Sequence, residues 1–178
     1  CQWNPFMLTP RNIFLVGPMG AGKSTVGRQL SKATRKRFFD SDKAIEERTG
    51  ASISLIFDVE GEEGFRRREQ SMIDELTAMD DIVLATGGGA VLDENNGASL
   101  MSRGFVVYLQ APVDLLVERT SRDRSRPLLH TDDMQARVSE LLTERDPIYR
   151  QVADTIVQTD RRSARHVVRE IQSRLEKL

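Results

Sequence analysis

The chain has 178 residues, 39% of them hydrophobic and 30% charged, with 26 basic against 27 acidic side chains and a net charge of −1. That length predicts one domain with a real core, and the near-balanced charge argues against a nucleic-acid partner. No apolar run approaches the roughly 20 residues of a membrane span, and the lone Cys1 allows no intrachain disulfide, which suits a reducing cytoplasm.

Residues 1–10 read as an N-terminal tail, and 11–178 as the domain. The opening C-Q-W-N-P-F-M has no charged stretch leading into an apolar one, so it is not a secretory signal. Met7 reads as the natural start, and residues 1–6 as disordered and dispensable.

Asn12–Val16 is a short apolar run, expected as a buried strand. Gly17 to Ser24 follows as G-P-M-G-A-G-K-S, a full phosphate-binding loop. Gly17, Gly20 and Gly22 allow a tight turn that brings main-chain N–H groups onto phosphate oxygens. Lys23 supplies a cation for the β- and γ-phosphates, and the Ser24 hydroxyl is a ligand for Mg²⁺. A helix from Ser24 to Lys32, with Val26, Leu30 and Ala33 on one face, would aim its N-terminus at the phosphates. Gly20, Ala21, Gly22, Lys23, Ser24 and Thr25 are therefore the nucleotide-binding candidates.

A second, weaker strand, Arg37–Phe39, leads into Asp40-Ser41-Asp42. If extended geometry continues, Asp40 and Asp42 share a side, one near Mg²⁺ and one near an attacking hydroxyl. The competing role is a helix cap by Ser41 or Asp42 ahead of Lys43–Arg48. Residues 40–64 read as an insertion of short helices punctuated by Gly50, Gly61 and Gly64. Glu62 to Met79 is a helix with Phe65, Met72, Ile73 and Leu76 on its stripe.

Ile82–Ala85 is a third strand ending in Thr86-Gly87-Gly88-Gly89. Three residues without side chains expose N–H groups to an oxygen-rich ligand. No Asp closes this strand, so Ser24 and Asp40 are left to support Mg²⁺, the latter through water. Phe105–Leu109 is a fourth strand, followed by a helix with Pro112 in its first turn and Val113, Leu116 and Val117 inward. Residues 120–132 are arginine-rich, contain Pro127, and suit a closing lid. Asp133 to Glu144 is a helix, and Glu144-Arg145-Asp146-Pro147 marks a break. Thr155–Val157 is a fifth strand. Ser163 caps a last helix with Val167, Val168, Ile171 and Leu175 inward. Alternating strands and helices make this α/β with a parallel sheet.

Arginine forks suit carboxylate and phosphate alike. The leading candidates are Arg66 beside Phe65, Arg126 before Pro127, and Arg145. His130 and His166 have no partners that would suggest a metal site or a catalytic triad.

Taken together, G-P-M-G-A-G-K-S, F-F-D-S-D, E-E-R-T-G, G-E-E-G-F-R, T-G-G-G-A, R-P-L-L, E-R-D-P-I-Y and the tail T-D-R-R-S-A resemble the shikimate kinase family, within the nucleoside-monophosphate-kinase-like group. The resemblance covers nearly all the chain beyond its first ten residues. It implies a three-layer P-loop kinase fold with a five-stranded parallel sheet in the order 2-3-1-4-5. It implies transfer of the ATP γ-phosphoryl group to the 3-hydroxyl of shikimate. Lys23, Asp42 and Arg126 would be catalytic, and Asp42, Arg66, Gly88, Gly89 and Arg145 would bind shikimate. Arg119 would lie against adenine, and Arg126 of the lid, about residues 120–132, would reach the phosphates. The acceptor insertion would span about residues 40–69. Ala164 stands where some members have a proline opposite Arg119. ATP and Mg²⁺ are the expected cofactors and shikimate the partner, in a cytoplasmic monomer with no nucleic acid or membrane. The alternatives are a related kinase for gluconate or a nucleoside monophosphate, a nucleotide-dependent ATPase or switch, and an inactive binding relative. The order of D-S-D, G-F-R and G-G-G weighs against the first. The missing third-strand Asp and N-K-x-D motif weigh against a GTPase switch.

Overall fold

Five short strands line up in parallel, the central ones buried on both faces. A computed structural model describes residues 10–122 and 133–178. The strands are β1 (Ile13–Val16), β2 (Arg37–Asp40), β3 (Ile82–Ala85), β4 (Phe105–Gln110) and β5 (Thr155–Gln158). They form one sheet in the order β2-β3-β1-β4-β5. The register sets Ile13 beside both Val83 and Phe105, with Arg37 opposite Ile82 and Val107 opposite Thr155.

The helices are α1 (Lys23–Thr34), α2 (Ser41–Thr49), α3 (Ile53–Thr77), α4 (Glu94–Arg103), α5 (Val113–Thr120), α6 (Met134–Val152) and α7 (Ala164–Glu176). Strand alternation divides the core in two. Ile13, Leu15, Val83, Val107 and Leu109 pack on one face with Leu30, Leu116 and Ile171. Phe14, Val16, Ile82, Leu84, Val106 and Tyr108 pack on the other with Phe65, Ile73 and Leu100. The result is the expected three-layer P-loop kinase architecture.

The N-terminal edge of the sheet is tied by one side chain. Asn12 is 3% exposed. Its amide donates to Met79 O at 2.7 Å and Arg103 O at 3.2 Å, and its carbonyl accepts from Ile82 N at 3.1 Å. The phosphate loop, Asp40 and the glycine triplet all lie at the opposite, C-terminal edge, where ligands bind in open α/β sheets.

Several expectations are corrected. Extended geometry stops at Asp40, because its carboxylate caps α2 by accepting from Asp42 N at 3.0 Å and Lys43 N at 3.2 Å. The cap is therefore neither Ser41 nor Asp42, and strand alternation does not relate Asp40 to Asp42. The insertion holds two helices, of which α3 begins at Ile53 and kinks only at Gly61 (φ 73°). Gly64 does not punctuate it. Gly64 is buried in the helix with Glu60 folded over it. Pro112 precedes α5 as its cap residue. Pro147 does not end α6, which continues to Val152. α4, which the apolar pattern did not suggest, is capped by Asp93 on Asn95 N and Asn96 N and anchored by Leu100.

Candidate active site

The loop after β1 takes the shape its glycines allow. Gly20 and Gly22 sit at φ 87° and 91°, conformations that side chains disfavour. At Gly17 the reason is space, since a Cβ would meet Leu109 O at 2.5 Å. The first main-chain bond of α1 is Val26 N to Gly22 O at 2.9 Å, so the turn before it presents main-chain donors to the loop. Lys23 is 8% exposed and donates to Gly17 O at 2.5 Å and Pro18 O at 3.0 Å, which holds its ammonium inside the loop. Arg119 reaches over from α5 and donates to Gly20 O at 3.0 Å.

The loop joins the tip of β2 through Ser24 Oγ, which donates to Asp40 Oδ2 at 2.5 Å. These are two hard oxygen donors side by side at a phosphate loop. That set fits Mg²⁺, which takes one or two protein oxygens and fills its shell with water and phosphate. No cluster of three His, Cys, Asp or Glu occurs among the described residues, so no all-protein metal cage is present there.

The glycine corner is built for close approach. Gly87 N donates to the buried Ser41 Oγ at 3.0 Å, which fixes the corner against the start of α2. The Arg66 guanidinium covers Gly89, its Cζ 2.8 Å from where a Cβ would sit. Arg145 covers Gly88, with Nη1 3.7 Å from the equivalent point. Asp42 and Glu69 both crowd Gly87. The sequence-derived acceptor set of Asp42, Arg66, Gly88, Gly89 and Arg145 is thus brought together from α2, α3, the loop after β3, and α6.

Charge is unevenly shared among these groups. Arg66 donates to Glu69 Oε1 at 2.7 Å and lies 3.4 Å from Glu62. Arg145 is 5% exposed and has no carboxylate within 4.0 Å among the described residues. A buried guanidinium without such a partner suits an anionic ligand. Burial pushes the Glu69 carboxyl up to about 7, outweighing the opposing pull of Arg66, while Asp42 adds to the rise.

Arg126 lies outside the described residues, as do His130 and most of the segment read as a lid, residues 123–132, and residues 1–9 of the tail. Glu69 and Tyr149 were not singled out from sequence, and Ser41 entered only as a cap candidate. Arg66-x-x-Glu69 was legible as an i, i+3 ion pair. Nothing in the sequence signalled that Glu69 is buried. No helix among the described residues is long and apolar enough to cross a membrane.

A family model described as "Shikimate kinase" matches residues 19–176. The chain belongs to the shikimate kinase family. A shikimate kinase of Pseudomonas entomophila is 59% identical over 168 residues, covering 94% of this chain and 98% of the relative. That of Halorhodospira halophila is 57% identical, covering 94% and 95%. Among solved structures, shikimate kinase from Acinetobacter baumannii in complex with shikimate superposes with a TM-score of 0.93 at 47% identity, covering 96% of this chain and 95% of that one. A gluconokinase from Sinorhizobium meliloti reaches 0.63 at 18% identity, a likeness of fold alone.

Proposed function

We propose that this chain transfers the γ-phosphoryl group of ATP to the 3-hydroxyl of shikimate, giving shikimate 3-phosphate and ADP, with the acceptor lying against the glycine corner. The observation that carries this reading is the convergence of Arg66 and Arg145 on Gly89 and Gly88, with Asp42 beside Gly87 and the phosphate loop adjacent. The two guanidinium groups suit one carboxylate, and main-chain amides suit ring hydroxyls. Asp42 accepts the hydroxyl hydrogen and aims the oxygen. Lys23 leaves its carbonyl partners for the transferring phosphate, and the loop amides of Gly20, Ala21, Gly22, Ser24 and Thr25 hold the remaining oxygens. Arg119 flanks the base, and Arg126 closes from the lid. Ser24 and, through water, Asp40 hold Mg²⁺, which when bound neutralises phosphate charge. Positioning and charge neutralisation supply the acceleration, since such transfers leave little covalent chemistry to the protein.

We further read the protein as a cytoplasmic monomer, with about residues 40–69 forming the acceptor insertion. ADP formation with shikimate, gluconate or a nucleoside monophosphate tests the reading. Shikimate-dependent ADP release is expected, nearly abolished in Asp42→Asn with ATP binding retained and reduced in Lys23→Met. Turnover indifferent to shikimate would overturn it in favour of a nucleotide-driven switch.

A further inference from the structure

Tyr149 lies one helical turn beyond Arg145 on α6 and is 1% exposed. Its hydroxyl donates to Gly88 O at 2.5 Å. The positive charge of Arg145 acts on the same hydroxyl, opposing the rise that burial causes. Arg145 also lies directly over Gly88. The hydroxyl and the guanidinium therefore meet on the same glycine, one at its carbonyl and one over its Cα. A hydroxyl has one donor and two acceptor positions. Here the donor goes to Gly88.

The consequence reaches the next peptide. Gly88 C=O and Gly89 N–H belong to one peptide unit, and a hydrogen bond accepted at the carbonyl strengthens donation from the amide. The tyrosine ring packs against a second one. Its centroid lies 4.9 Å from that of Tyr108. The Tyr108 hydroxyl donates to Asp146 Oδ1 at 2.7 Å, and Asp146 also accepts from Arg150 at 2.8 Å. Pro147 lacks the N–H that would bond the carbonyl of Thr143, so the α6 ladder is incomplete beside Arg145. The Tyr149 tie to the glycine corner holds this turn in addition to the helix. Burial pushes the Tyr149 hydroxyl up to about 12, with Arg145 and Arg66 pulling the other way, so it remains a donor at neutral pH.

We propose that Tyr149 is a positioning residue for the phosphoryl acceptor, locking Arg145 and the Gly88–Gly89 peptide into one binding face without touching the substrate. The proposal rests on the shikimate kinase reading of this site. Tyr149→Phe keeps the ring and removes the hydroxyl. It is expected to raise the shikimate KM about fivefold, as for loss of one hydrogen bond, while kcat and the ATP KM stay within about twofold. Tyr108→Phe is the control. It removes the neighbouring hydroxyl, which bonds Asp146, and is expected to leave the shikimate KM unchanged.

The chain has 2 tyrosines, so 3-fluorotyrosine in the Tyr108→Phe background labels Tyr149 alone. Its ¹⁹F resonance is expected to shift as shikimate saturates the protein, which tests the idea even where Tyr149→Phe does not fold. An unmoved resonance overturns the proposal, as does an unchanged shikimate KM in Tyr149→Phe or an equal rise in both phenylalanine variants. If the unmodified protein forms no ADP with shikimate, the functional reading fails and this inference with it. Normal turnover with an indifferent Tyr149→Phe defeats this inference alone.

Discussion

Asp42 and Glu69 converge on the same point. Asp42 Oδ1 lies 2.8 Å and Glu69 Oε2 2.9 Å from where a Cβ on residue 87 would sit. Gly87 is not among the glycines with positive φ, so alanine suits its backbone and lacks only room. Gly87→Ala is expected to fold and to displace Asp42, lowering kcat by about 10²-fold, as for a misplaced catalytic group. ATP affinity should hold. Normal turnover with the alanine in place would separate Asp42 from the reacting hydroxyl.

The same crowding predicts a pH effect on stability. Glu69 is about 7 in the folded protein against 4.5 for a free glutamate. A raised carboxyl stabilises the fold in its protonated form. Its contribution is complete below about 4.5 and is lost as pH climbs through about 7. The loss amounts to roughly 2–4 kcal/mol for this group. Asp42 faces Glu69 from α2 and Arg145 from α6, while Arg66 pairs with it on α3. Thermal melts of the ligand-free protein between pH 5 and 8 should therefore decline more steeply than those of Glu69→Gln, in which this titration is gone. Parallel curves would contradict it.

Asp40 caps α2 with one oxygen and accepts from Ser24 with the other, and two variants separate these roles. Asp40→Ala loses the α2 cap, costing about 1 kcal/mol, together with the contact to Ser24. Asp40→Asn keeps an acceptor for Asp42 N and Lys43 N. It is expected to melt near the parent while needing more Mg²⁺ for half-maximal rate. A melt as low as that of Asp40→Ala, with an unchanged Mg²⁺ requirement, would assign Asp40 to folding alone.

Arg145→Ala should raise the shikimate KM by about tenfold or more, as expected for removal of a charge-assisted contact. The ATP KM should change little. An unaltered shikimate KM would remove Arg145 from the acceptor face and leave Arg66 to hold the carboxylate.

The sheet was legible because parallel strands buried on both sides are continuous apolar runs. Ile82–Ala85 falls where the pattern set it, and the other four strands agree within one residue at either end. The phosphate loop was legible because its backbone demands glycine. What could not be read was competition between local and tertiary effects. Asp40 is placed by strand position yet recruited as a cap. Pro147 is a helix breaker by local rules, yet α6 passes through it with Asp146 and Tyr149 bonded on either side. α4 is poor in helix formers and exists through its Asp93 cap and the burial of Leu100. Glu69 reads as a surface acid on a charged helix until α2 and the glycine corner close over it.

The three bonds of Asn12 fasten the ends of α3 and α4 to the beginnings of β1 and β3. Everything chemical lies about one strand-length away, at the other rim. Thr86 N still reaches Leu15 O at 3.1 Å there, so β1 and β3 stay paired from the staple to the phosphate loop. The phosphate loop and the glycine corner leave adjacent, hydrogen-bonded strands, so the gap a phosphoryl group must cross is inherited from the sheet.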